Sequence, residues 1–302
     1  MDRLAAMVAF VRVVDTASFS AAARLLNLGQ PAVSKTVAHL EDRLGVKLLL
    51  RSTRGLTVTE AGQRYYERAR RAIEEADEAE QSARGDGTSL TGVLRAAAPT
   101  TFARLHVVPQ LSLFLARHKE LEIDLILDDR VVDLVHEGID VALRMGDLAD
   151  SSLTARRIAT GPRAVLATPS YLTRAGEPGT PADLAAHEAV MHTQGRQSVW
   201  AFGRSGRVAS VAVGGRLRVS SAEGLRAAVL AHMGLTIAST WMFTPELANG
   251  TVRRVLADWD LPTIDLWAIY PTGRLASAKA RAWVDFVTET LSAAGASIPA
   301  PR

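Results

Sequence analysis

The hydrophobic period of this chain changes once, and the change constrains its architecture more than any other feature. Up to Arg84 the apolar residues recur mostly at helical spacing. After Gly85-Asp86-Gly87-Thr88-Ser89, from Thr91 onward, short apolar runs alternate with helical segments. A chain of 302 residues is long enough for about two domains, and this break divides it. The pattern predicts an α/β protein with a small N-terminal unit (1–58), a long helix (59–90) and a large α/β unit (91–302) whose mostly parallel sheet carries helices on both faces.

Within the first segment the spacing predicts helices at Asp2–Asp15, Ala21–Leu26 and Gln30–Leu44, with Asn27-Leu28-Gly29 as a tight break. Pro31 fits the first turn of the third helix, where its missing N–H costs nothing, and Gly45 fits its end. Val33, Val37, Leu40 and Leu44 should face a core. The opposite face carries small, polar and basic groups, as a helix entering a DNA major groove requires. Two short strands, Val46–Leu50 and Leu56–Thr59, read as a hairpin wing around Arg51-Ser52-Thr53-Arg54-Gly55. Basic residues outnumber acidic ones about two to one between Met1 and Ile73, then an acidic run from Glu74 to Glu80 reverses the sign. Only the first part is therefore suited to meeting phosphates.

Thr59 is placed to cap the next helix. Along that helix Tyr65, Ala69, Ala72, Ala76, Ala79 and Ala83 form a heptad seam, which suits close pairing with a second copy of the chain. The plainer alternative is an alanine-rich surface helix.

Several function classes are excluded or weakened. With no cysteine there is no disulfide, thiol nucleophile, Cys-ligated zinc or iron–sulfur cluster. The seven histidines show no close metal-ligand pairing, and HExxH, P-loop and GxSxG motifs are absent, so neither an enzyme nor a cofactor is expected. The apolar stretch Leu4–Val14 is helically spaced and interrupted by Arg12, unlike a secretion signal, so a cytoplasmic protein without a membrane partner is expected. A transport-type solute-binding protein would explain the C-terminal unit but not the N-terminal one; an architectural nucleoid protein would explain only the N-terminal one.

Ser18 to Leu26, Gln30 to Lys35, Leu40-Glu41, Leu44 to Leu48 and Arg51 to Gly62, in that order and spacing, resemble the LysR-type transcriptional regulator signature. Asp129 to Leu134, Glu137 to Asp140, Ala167 to Leu172 and Gly224 to Gly234 are similar to the effector domain of the same family. The resemblance implies a winged helix-turn-helix, a dimerising linker helix and a two-lobed, periplasmic-binding-protein-like effector domain, with lobe I at about 91–160 and 266–302 and lobe II at about 161–265. It also implies a homodimer, commonly a tetramer of two dimers, on a dyad-symmetric operator, with RNA polymerase a further partner open to such a regulator. One departure stands out: the family's Ser or Thr before Gln30-Pro31 is Gly29 here.

For DNA contact the candidates are Gln30, Pro31, Ala32, Ser34 and Lys35 on the third helix and Arg51 and Arg54 on the wing. Ser34 could instead bond within its helix, and Arg51 could be a packing residue. Open α/β sheets bind ligands at the carboxyl ends of their strands. That rule selects Thr100, Thr101, Asp128, Arg144, Met145 and Gly146 on one side of a cleft. Across it the rule selects Pro169, His192, Thr193, Ser220, Ser221, Ser239 and Thr240. The set suits a small polar or carboxylate-bearing metabolite, although Thr100, Ser220 and Ser221 also precede helices and could serve as caps.

Overall fold

The computed structural model describes residues 2–52, 55–84, 90–148, 154–193, 199–271 and 276–293. They form two compact units that meet at Gly92–Val93.

In the first unit α1 (Arg3–Thr16) starts at Asp2, whose carboxylate accepts from the Leu4 and Ala5 amides. α2 (Phe19–Leu25) is capped by Ser18, and α3 (Gln30–Leu44) by Gly29, which offers no side-chain bond. Gly45 ends α3 at φ 70°, a left-handed turn that costs glycine nothing. Phe10, Ala22, Val33, Val37 and Leu40 make the core. Leu44, expected in it, is 38% exposed. The last core-facing position of α3 belongs to Glu41, one turn after Val37. β1 (Leu49–Ser52) and β2 (Gly55–Val58) form the antiparallel wing, with Leu49 opposite Val58. α4 (Glu60–Arg84) is capped by the Thr59 hydroxyl, which accepts from the Gly62 amide at 2.9 Å.

The second unit has two lobes. The first begins with β3 (Thr91–Ala98) and a helical run, α5 (Thr100–Phe102), a π turn (Ala103–Val107), a 3-10 turn (Val108–Gln110) and α6 (Leu111–Arg117). Pro109 prevents one regular helix here, because it lacks the N–H and its ring clashes with the preceding turn. β4 (Glu120–Leu127) and β5 (Val141–Met145) follow. Between them residues 131–137 form no helix: the Asp133 carboxylate accepts from the Val135 and His136 amides, and Gly138 turns at φ 71°. This local bonding competes directly with the helical ladder.

β6 (Thr154–Gly161) ends at the cleft, and the chain passes through Pro162 into β7 (Arg163–Ala167) of the second lobe. Gly161 permits this passage, since a Cβ there would lie 2.7 Å from the Trp241 ring. Then come α7 (Pro169–Ala175), β8 (Glu188–His192), the hairpin β9 (Val199–Arg204) and β10 (Arg207–Ala212), β11 (Gly214–Val219), α8 (Ala222–Leu230), β12 (Thr236–Ser239), α9 (Thr244–Asn249) and β13 (Arg253–Val255). The chain returns through β14 (Ile264–Tyr270) and α10 (Ala278–Ala293) to the first lobe.

The first lobe's sheet has the order β4-β3-β5-β14-β6. The second lobe has β12-β7-β13 and the parallel pair β11-β8, joined by a parallel bridge between Ala189 and Leu235. The sheets are mixed rather than mostly parallel: β14 runs antiparallel to β5 and β6, and β7 antiparallel to β12 and β13. Strands that return from the other lobe must enter from the cleft end, which reverses their direction.

Candidate functional site

Two regions carry the candidate chemistry. On α3, Val33, Val37, Leu40 and Glu41 are buried, while Gln30, Pro31, Ala32 and Lys35 are exposed and Ser34 is half-buried. The exposed group lies in the first turns, where unbonded amides and the helix dipole favour phosphate. Glu41 fixes this helix to the wing. Its carboxylate accepts from the Leu48 and Leu49 amides at 2.9 and 3.0 Å and from Lys47 Nζ at 2.7 Å. Burial alone would raise its pKa. The bonds from Lys47 and the two amides outweigh burial and hold it below its usual value. Arg51 lies on β1 opposite Leu56. Arg54 lies outside the described residues.

The linker seam divides along its length. Tyr65 stacks edge-on against Phe10 of α1 with ring centroids 5.5 Å apart, and Ala69 is buried in the same core. Ala72 and Ala76 are half-buried and Ala79 is exposed; the Ala83 side chain is outside those described. Tyr65 and Ala69 thus join α4 to its own module, and only positions beyond them remain open to another surface.

In the second unit a cavity of about 450 Å³ lies between the lobes. Thr101, Asp128, Arg144, Met145 and His192 line it, as does Ser239. The remaining candidates do other work. The Thr100 amide donates to Asp129 Oδ1, Ser221 caps α8 by accepting from the Gly224 amide at 3.0 Å, and Thr240 is buried with its amide on the Pro162 carbonyl. Ser220 is exposed, and Pro169 opens α7 at the carboxyl end of β7. The carboxyl-end rule fails at Pro169 because β7 is antiparallel to β12. Its amino end meets the cleft, and there stands Arg163, which the rule missed.

The cleft's electrostatics are uneven. Asp128 is gripped by Arg130, whose side-chain hydrogen bonds chiefly lower its pKa. Burial holds the pKa of Arg144 below its ordinary value, partly offset by Asp128, and does the same to Arg163, offset by Asp147. Burial also lowers His192 against the pull of Asp129, which leaves the imidazole neutral near pH 7. Asp129 bridges the lobes: Oδ1 accepts from the Thr100 amide and Oδ2 from the Ala222 amide, both at 2.9 Å. Beside it Thr101 donates to Glu223 Oε2 at 2.9 Å, and His106 Nε2 donates to the Trp241 carbonyl at 2.8 Å.

A winged helix-turn-helix followed by a two-lobed cleft has clear counterparts. Residues 4–63 match the family of bacterial regulatory helix-turn-helix proteins of the lysR family, and residues 87–292 match the LysR substrate binding domain. The chain belongs to the LysR family of bacterial transcriptional regulators. It is 36% identical over 288 residues to an HTH-type transcriptional regulator of Xanthomonas campestris pv. campestris, which spans 94% of this chain and 84% of that one. It is 33% identical to the probable regulator LtrA of Klebsiella pneumoniae over 96% of each chain. The solved structure of CrgA, a LysR-type transcriptional regulator from Neisseria meningitidis, superposes with a TM-score of 0.60 and 30% identity, covering 95% of this chain and 98% of that one. This LysR-type regulator is therefore a transcription factor with an effector-binding domain, not an enzyme. Among the described residues no helix is long and apolar enough to cross a membrane.

Proposed function

We propose that this LysR-type regulator reads a dyad-symmetric operator as a cytoplasmic homodimer, or a tetramer of two dimers, under control of a small molecule held between the lobes of its effector domain. The observation that carries the reading is the cleft itself: one cavity lined by residues of both lobes, Arg144 on one side and Arg163 on the other. A molecule touching both favours one relative arrangement of the lobes, and differential affinity for that arrangement is all that regulation requires. On DNA, Gln30 is suited to adenine or phosphate, Pro31 and Ala32 to a thymine methyl, Ser34 and Lys35 to bases or backbone, and the wing arginines to phosphate.

Footprinting with and without effector tests the control step. Saturating effector should alter the footprint or the DNA bend more than the affinity; an unchanged footprint and bend would refute it. For the reading helix, Lys35→Ala should weaken operator binding and reduce the salt slope by about 0.9, one phosphate's worth. If slope and affinity both hold, Lys35 lies outside the interface.

A further inference from the structure

We infer that the ligand of the interlobe cleft is an organic anion with an apolar body, its charged end held between Arg144 of one lobe and Arg163 of the other. The inference rests on the cleft being the effector site and names what that site takes.

Two places in the cleft could receive an anion. The first is the pair of amides at the starts of α5 and α8, Thr100 and Ala222, and it is already filled. Asp129 places one carboxylate oxygen on each, at 2.9 Å. A ligand carboxylate would have to displace one that is tethered to the chain, and so competes against a very high local concentration.

The second place is the pair of arginines. Among the described residues neither the Arg144 nor the Arg163 side chain makes a hydrogen bond or an ion pair, although both residues line the cavity. The nearby acids do not serve them. Asp128 is bonded twice or more by Arg130, and Asp147 acts on Arg163 only through space. Arg144 is half-buried and Arg163 exposed, and neither guanidinium has a bonded partner, so each can meet a planar carboxylate with two parallel hydrogen bonds. The arginines belong to different lobes, Arg144 near the end of β5 and Arg163 at the start of β7. One anion between them pairs with both and holds the lobes together.

The rest of the wall sets the ligand's body. Phe102, Val132, Leu225, Ile237, Met242 and Ile264 face the cavity. A small hydrophilic dianion would leave these groups wet, whereas an aryl or alkyl chain covers them. Within about 450 Å³ there is room for a body of aromatic-ring size or larger.

The test is calorimetric titration of the full-length protein with aryl and alkyl monocarboxylates of six to ten carbons (phenylacetate and hexanoate through decanoate), each paired with its neutral amide, and with succinate. At least one carboxylate should bind ten- to a hundredfold more tightly than its amide and than succinate, the loss expected for one charge-assisted hydrogen-bond pair. Arg144→Gln and Arg163→Gln should each remove most of that preference, with folding checked by circular dichroism. Arg163→Lys should recover part of it, since a point charge replaces a fork. Preference for succinate or for the amides, absence of binding across the carboxylate series, or full affinity in both glutamine variants would each overturn the assignment. Footprinting separates this from the regulatory reading. If amides or polyols shift the footprint and carboxylates do not, the ligand class falls and control by the cleft stands. If carboxylates bind through the arginines and the footprint never moves, the anion site stands and the control falls.

Discussion

Glu41 shows how much one side chain decides in the small N-terminal unit. A buried carboxylate is costly unless it is bonded, and this one accepts two backbone amides of the wing and the Lys47 ammonium. Glu41→Gln keeps an acceptor but loses the charge, and should cost about 1–3 kcal/mol. Hydrogen exchange at the Leu48 and Leu49 amides of the full-length protein would report it as faster local opening. The same bonds set a pH dependence. The folded pKa lies below the ordinary value of 4.5, so the unfolded chain takes up the proton first as pH falls. The stabilisation is complete above about pH 4.5 and disappears as pH drops through the folded value, so the difference in protection between wild type and Glu41→Gln should shrink below that pH. A pH-independent difference would show that Glu41 acts through shape alone. The sequence pattern missed this role because a helical stripe drifts with its 3.6-residue period. Val33, Val37 and Glu41 continue one line, while apolarity alone pointed to Leu44.

At the scale of elements, the linker helix makes two kinds of contact that its heptad pattern could not separate. Ala69 is 1% exposed against α1, so Ala69→Leu should overpack the module and destabilise it by about 1–3 kcal/mol. Ala76→Glu alters a half-buried position beyond that core. If the distal seam pairs two chains, sedimentation velocity should show dissociation of Ala76→Glu without the loss of amide protection around Phe10 that Ala69→Leu causes. An Ala76→Glu dimer as tight as wild type would remove the distal seam from the interface. Elements were legible where local chemistry agreed with period: the capped α1 and α2, α3 ended by Gly45, and the wing. They were illegible where tertiary context ruled. The hairpin β9–β10 buries Phe202 and Val211 without a sustained apolar–polar alternation, Asp133 holds residues 131–137 out of a helix, and Pro109 breaks the run after β3 into π and 3-10 turns.

At the scale of the whole effector domain, strand direction governs which residues meet. Thr101, Asp128, Arg144, Met145, His192 and Ser239 were readable because their strands present carboxyl ends to the cleft. Arg163 was not, because β7 enters from the cleft and presents its amino end. Polar contacts cross between the lobes beside the Phe102–Trp241 ring contact, and Asp129 makes two of them. The flanking pair Arg104–Glu223 is substantially exposed and worth little, whereas Asp129 satisfies one amide from each lobe. Asp129→Ala should leave both amides without their acceptor and free the lobes to part. Exchange at Thr100 and Ala222 should rise at least tenfold, since losing these bonds costs about 1.5–3 kcal/mol for a charged acceptor. Affinity for a cleft ligand should fall with it, because part of the binding energy must then go to closing the lobes. Asp129→Asn should lie between, as its amide oxygen can accept from only one side with full strength. Unchanged exchange at both amides in Asp129→Ala would mean that the Thr101–Glu223 and His106–Trp241 bonds suffice, and that closure is set elsewhere along the interlobe surface.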